Sequence, residues 1–188
     1  MLAAKKVFLD QGYGGASMDS IAETAGVSKA TVYAYFDSKD ALFEAMVAEY
    51  CEEQRKAIEA LEAERPSVEE GLYRMAQIMM RYWSQPAALQ FSRMILGETV
   101  RFPELGRSFI KTGAHSLQKT VAEFLEDATR RGELKVSNPD LVAEIFISMT
   151  RGPVQQRSLV ALGKTPAAEP LNKIAREIAR MIVATYQI

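Results

Sequence analysis

Apolar positions along the chain recur at helical spacing almost from the first residue. Residues 1–11 place Val7 and Phe8 on one face, and Gly12, Gly14 and Gly15 end that helix. Met18, Ile21, Ala22 and Ala25 then fall at i, i+3, i+4, i+7, behind Ser17 as N-cap and Asp19 in the first turn. Gly26 supplies a left-handed turn, Val27 is expected to fill the angle, and Ser28 caps the next helix. In residues 29–36 only Val32 and Phe36 need to face inward. Ser38 caps a long helix over 39–62 with the stripe Leu42, Phe43, Met46, Val47 and Tyr50. Its far end, E-E-Q-R-K-A-I-E-A-L-E-A-E-R, reads as charged and exposed.

The rest repeats this grammar. Ser67 caps a helix to about Ser84, and Pro86 opens a shorter one through Phe91, Met94 and Ile95. A loop is expected over Gly97–Pro103. A long helix from Glu104 to Arg131 follows, with Ile110, Ala114, Leu117, Val121, Phe124 and Ala128 inward and Gly132 as its stop. Asn138-Pro139-Asp140 starts another helix, carrying Leu141, Val142, Ile145, Phe146 and Met149. Gly152-Pro153 kinks or interrupts it, and it is expected to resume to Leu162 before a loop over Gly163–Pro170. The last helix, to about Tyr186, sets Leu171, Ile174, Ala175, Ile178, Ala179 and Ile182 against Lys173, Arg176, Glu177 and Arg180. Alternating strand-like runs are missing. The expected fold is all-α with about nine helices: a three-helix head at 1–46 and a larger helical body at 47–188.

The outward face of residues 29–36 changes the picture. Lys29, Ala30, Thr31, Tyr33, Ala34 and Tyr35 serve no core. Small residues allow close approach to a major groove, Thr and Lys reach base edges or phosphates, and tyrosine hydroxyls bond phosphate oxygens. An ordinary helical hairpin with incidental aromatics explains the spacing about as well. The stretch G-V-S-K-A-T-V-Y-A-Y-F-D-S-K-D-A-L-F, however, resembles the recognition-helix signature of the TetR/AcrR family of bacterial repressors. The preceding A-A-K-K-V-F-L-D-Q-G-Y-G-G-A-S-M-D-S-I-A resembles that family's first helix and its lead into the second. R-F-P-E-L-G, R-R-G-E-L, N-P-D-L-V-A-E-I-F and R-G-P resemble the AefR-type regulatory domain. The resemblance implies a homodimeric, effector-released repressor on a palindromic double-stranded DNA operator. Thr31, Lys29 and Ala30 would meet base edges, and Ser17, Ser28, Tyr33, Tyr35 and Lys39 would hold phosphates.

Charge fits this less well. The 188 residues carry a net charge of −1, and residues 1–50 hold four lysines and no arginine against seven acids. Weak non-specific affinity is expected, because neutralising phosphates supplies most of it. One cysteine, Cys51, forbids an intrachain disulfide and fits a reducing cytoplasm. No apolar run reaches a membrane-spanning length, and Met1 leads at once into an amphipathic helix rather than a signal peptide.

Catalytic chemistry finds little support. His115 is the only histidine, and no phosphate loop, metal-ligand cluster or nucleophile elbow is visible, so neither enzyme activity, cofactor nor metal is expected. For ligand binding, Met75, Met79, Tyr82, Trp83, Phe91, Met94, Phe109, Phe146 and Met149 bring adaptable and aromatic side chains to the body, with His115, Gln90, Ser92 and Gln118 as polar partners. Each is individually as well explained by a plain core. Dimerisation is assigned to the last two helices, since two heads must meet half-sites about 34–36 Å apart. Two rivals stand beside this reading: a carrier or enzyme with a vestigial helix-turn-helix head, and a DNA-binding protein whose filled body takes no ligand.

Overall fold

The computed structural model describes residues 1–160 and 168–187. Among these the chain is helical throughout: α1 (Leu2–Gly15), α2 (Met18–Ala25), α3 (Lys29–Tyr35), α4 (Lys39–Ala63), α5 (Val68–Trp83), α6 (Pro86–Glu98), α7 (Pro103–Phe109), a π-helical turn (Ile110–Ala114), α8 (His115–Arg130), α9 (Pro139–Val160) and α10 (Ala168–Tyr186). The β-pairing among described residues is the single bridge Leu134–Gln187. Two compact units emerge: Met1–Cys51 with Gln90–Ala114, and Glu52–Leu89 with residues 115–188.

The first unit is built on rings. Phe8 and Phe43 are fully buried and meet edge to face at 5.7 Å, while Tyr13 stacks on Phe8 and takes Phe102 edge-on at 5.3 Å. Phe91 stacks on Phe43 at 5.8 Å and meets Phe109 at 6.0 Å. Gly12 interrupts α1 with a φ of +73°, a conformation that requires glycine, and a Cβ there would push the Glu98 carboxylate aside. Glu98 also accepts from the Gly14 N–H at 3.4 Å.

In the second unit α5, α8, α9 and α10 share a core around Leu72, Met75, Met79, Val121, Leu125, Phe146, Ala175 and Ala179. Ser67 caps α5 by accepting from the Glu70 N–H, and Asn138 Oδ1 caps α9 by accepting from the Leu141 N–H at 3.2 Å. Gly71 leaves room for the Phe124 ring.

Several expectations need correction. The far end of α4 is not uniformly exposed: Gln54, Ile58 and Leu61 are buried, at i, i+4, i+7 among the charges. The expected helix over 104–131 contains the π-helical turn, which shifts the register, so Ile110 is 61% exposed, whereas Leu117, Val121, Phe124 and Ala128 are buried as expected. The helix opened by Pro86 runs on to Glu98, into the expected loop. Helix α9 continues through Pro153 without interruption as far as it is described. Leu141 and Ile145 face outward. Positions 168–170, expected as loop, open α10, and the rest of that loop, Gly163 to Ala167, lies outside the described residues, as does the expected helix end at Leu162.

Candidate functional site

Helices α2 and α3 are fixed by local chemistry. Ser17 Oγ accepts from the Ser20 N–H at 3.0 Å and Ser20 Oγ accepts from the Ser17 N–H at 3.1 Å, a reciprocal capping box. Met18, Ile21 and Ala22 turn inward, whereas Ala25 is exposed. Gly26 ends α2 at φ 67°, ψ 29°, and the Val27 N–H returns to the Ala22 carbonyl at 3.1 Å. Val27 does not plug the helix angle as expected: it is exposed, and this bonded glycine turn sets the angle instead. Ser28 Oγ accepts from the Thr31 N–H at 3.1 Å and shares a hydrogen bond with Thr31 Oγ1 at 2.8 Å.

On α3 only Val32 is buried. Lys29, Ala30, Thr31, Tyr33, Ala34 and Tyr35 all face solvent, Tyr35 with 78% of its surface exposed. A helix that offers six of seven side chains to water gains little from burial. The two tyrosines, the threonine and the lysine give this exposed face its polar groups.

The two lysines of this region differ. Lys29 Nζ reaches both carboxylate oxygens of Asp19, at 2.7 and 3.0 Å, and lies 5.9 Å from the Tyr33 ring centroid. Hydrogen bonding to Asp19 raises its pKa above the ordinary lysine value. Lys39 instead donates inward, to the Tyr13 carbonyl at 2.7 Å and the Ala16 carbonyl at 3.0 Å, with its ammonium 4.4 Å from the Tyr13 ring centroid. Burial pushes its pKa down, and the Glu98 carboxylate opposes that.

The residues proposed for a ligand do not form one group. Met75, Met79, Trp83 and Phe146 are buried in the core of the second unit, with Met149 packed against it. Phe91, Met94 and Phe109 belong to the aromatic cluster of the first unit, not to the middle of the body. Tyr82 is half-buried and donates its hydroxyl to Glu53. His115 is exposed beside a shallow depression of about 520 Å³ that Lys119, Glu123, Glu126 and Asp140 also line. Of the polar partners, Gln118 donates to the Asp140 carbonyl at 3.0 Å and Gln90 to the Leu9 carbonyl at 3.4 Å.

Sequence reasoning missed Gln54. It is 3% exposed, and its Oε1 has no hydrogen-bond partner among the described residues, a cost unless a donor arrives. Its spacing from Ile58 and Leu61 is the signal that places it on the buried stripe. A separate open groove of about 770 Å³ in the second unit is lined by Ala57, Leu61, Ile78, Met80, Arg81 and Leu171 among others, and by none of the residues proposed for a ligand. Among the described residues no group of three or more His, Cys, Asp and Glu could hold a metal ion, and no helix is long and apolar enough to cross a membrane.

Comparison with known proteins agrees along the whole chain. Residues 1–46 match the bacterial regulatory proteins of the tetR family, and residues 70–188 match the C-terminal domain of AefR-like transcriptional repressors. A TetR-family transcriptional regulator from Mesorhizobium loti superimposes with a TM-score of 0.85 at 26% identity, over 100% of this chain and 94% of that one. The flavonoid-responsive regulator FrrA is 31% identical with a TM-score of 0.79, over 99% of this chain and 94% of its own. The HTH-type transcriptional regulator YhgD of Bacillus subtilis is 26% identical over 152 residues, 78% of this chain and 76% of that protein. With an all-α fold, an outward-facing α3 and both family matches in register, the chain belongs to the TetR family of DNA-binding transcriptional regulators, and is not an enzyme.

Proposed function

We propose that the chain is a cytoplasmic repressor that holds a palindromic operator as a homodimer and lets go when a small apolar or amphipathic effector binds. In this reading residues 1–46 are the DNA-binding domain and 47–188 bind effector and partner. The observation that carries it is the face of α3, where six of seven residues are exposed with no core to serve. Thr31 and Ala30 are assigned to base edges, and Lys29, at the start of α3, to a phosphate beside them. Ser17, Ser28, Tyr33 and Tyr35 are assigned to phosphates, the two serines at the starts of α2 and α3. Lys39 joins them only by leaving two carbonyls, so its first role is to brace the end of α1.

For the dimer, Leu141 and Ile145 on α9 and Met181 on α10 are exposed apolar residues that an isologous interface would cover. For the effector, Met75, Met79, Trp83, Phe146 and Met149 supply an adaptable lining, and the unpartnered Gln54 Oε1 supplies one acceptor. FrrA is flavonoid-responsive, which makes a flavonoid, flat and amphipathic, the first compound to try. An effector moves the DNA-binding equilibrium only by its differential affinity for the two states.

The test is fluorescence anisotropy on DNA from upstream of the chain's own gene, at moderate salt with scrambled competitor. Retention on the native sequence alone, lost in Lys29→Ala and weakened in Tyr33→Phe, is the expected result. Equal binding to both duplexes, unchanged by either substitution, removes α3 as the reading helix. A flavonoid added to the retained complex should then release it.

A further inference from the structure

We propose that Asp19 is a specificity residue of the DNA-binding head: it withholds the Lys29 ammonium from the phosphate backbone until a matched site draws it away. The inference rests on α3 being the DNA-facing helix. The head is short of positive charge. Residues 1–50 contain four lysines and no arginine. Lys39 is turned onto the Tyr13 and Ala16 carbonyls, and Lys5 lies 5.4 Å from the Tyr50 ring centroid. From Ser17 to Phe36, the whole helix-turn-helix, Lys29 is the one basic residue, and Asp19 holds it through both oxygens.

The two partners are unequal. Asp19 sits in the first turn of α2, where the helix dipole favours a carboxylate and the Ser17–Ser20 capping box fixes the backbone. Lys29 opens α3, where the dipole disfavours a cation. Asp19 is therefore well placed with or without Lys29, whereas Lys29 without Asp19 needs another anion. On DNA that anion is a phosphate. The pair is also easily exchanged, because its side chains are 58% and 65% exposed and no desolvation holds it shut. On unmatched DNA, loose phosphates compete poorly with a carboxylate at 2.7 Å, and Lys29 adds nothing to affinity. At a matched site the base contacts of α3 hold a phosphate close enough to displace Asp19. The charge is thus counted only where the sequence is right, which widens the gap between specific and non-specific binding.

The experiment measures binding of the full chain against salt for two probes, a random 30-base-pair duplex and a duplex selected from a randomised pool by the wild-type protein. Asp19→Asn should steepen the salt dependence on the random duplex by about 0.9 in log–log slope per head, tightening it about eightfold per head at 0.1 M salt. On the selected duplex the slope should stay at the wild-type value, so the specificity ratio falls. Asp19→Glu should retain wild-type behaviour. Asp19→Asn combined with Lys29→Ala should return the random-duplex slope to that of wild type, which a merely structural role for Asp19 does not predict. Three results overturn the proposal: an unchanged slope on the random duplex, equal steepening on both probes, or steepening that survives Lys29→Ala. Failure of the wild type to select any duplex would instead sink the DNA-facing assignment of α3, and this proposal with it.

Discussion

Lys39→Met separates a brace from a phosphate contact at one position. The substitution keeps the length of the side chain and removes its ammonium. The structure assigns that group two carbonyl acceptors, at 2.7 and 3.0 Å, and a place 4.4 Å from the Tyr13 ring centroid. Hydrogen bonds from a charged donor contribute about 1.5–3 kcal/mol each when buried, and the cation–π contact about 0.5–1 kcal/mol. Lys39 is only part-buried, and water can partly replace it at the carbonyls, so a total loss of roughly 2–3 kcal/mol is expected. For a chain of this size that corresponds to a fall in melting temperature of about 5–10 °C. The assay pairs differential scanning calorimetry with the salt dependence of DNA binding. A brace lowers the melting temperature and leaves the salt slope alone. A phosphate contact does the reverse, flattening the slope by about 0.9 per head with little change in melting. That second outcome would refute the reasoning from the Tyr13 and Ala16 carbonyls.

Three further outcomes are expected. Gln54→Leu removes a buried acceptor with no partner among the described residues, so thermal stability should rise by about 1–2 kcal/mol while effector-driven release from DNA is lost; unchanged release would remove Gln54 from the effector site. Leu141→Glu with Ile145→Glu places charge on the exposed apolar face of α9, and light scattering should then report monomer with unchanged helical content by circular dichroism. Glu62 has its pKa raised by burial first and by Glu123 and Glu59 after, so the folded state holds its proton longer than the unfolded chain. Stability from this group is therefore present below about pH 4.5 and is lost as pH rises toward the folded value, and Glu62→Gln should stabilise the protein at pH 7 but not at pH 4. Urea midpoints at the two pH values check the sign.

The head was legible because its structure is written locally. Ser17, Gly26 and Ser28 each have one dominant physical use, and the structure finds each in it. The body was less legible wherever the cause lies elsewhere in the fold. Glu52–Arg65 looks solvated because its charges outnumber the three residues that matter, yet Gln54, Ile58 and Leu61 keep helical spacing and are buried. Nothing in Ile110–Ala114 announces a π-helical turn. Gly113 is its buried residue, and a Cβ there would come within 3.3 Å of Cys51 Sγ and of Val47, a proximity that sequence order conceals. Phe91, Met94 and Phe109 have the composition of a ligand lining, but α6 and α7 carry them to the first unit's aromatic cluster. Composition names a chemistry, and topology decides where it is used.

The α2–α3 turn has a consequence for change over generations. Only Val32 anchors α3 by burial, and the ends of the helix are held from outside it, by Ser28 before and by the Phe36 N–H bonding back to the Val32 carbonyl. The outward residues can therefore be exchanged without unsettling the scaffold that presents them. A library at Ala30, Thr31 and Ala34 samples new operator preferences at nearly constant stability. Divergence of regulatory targets and laboratory retargeting are open by the same route: a cassette of exposed positions, independent of the machinery that carries it.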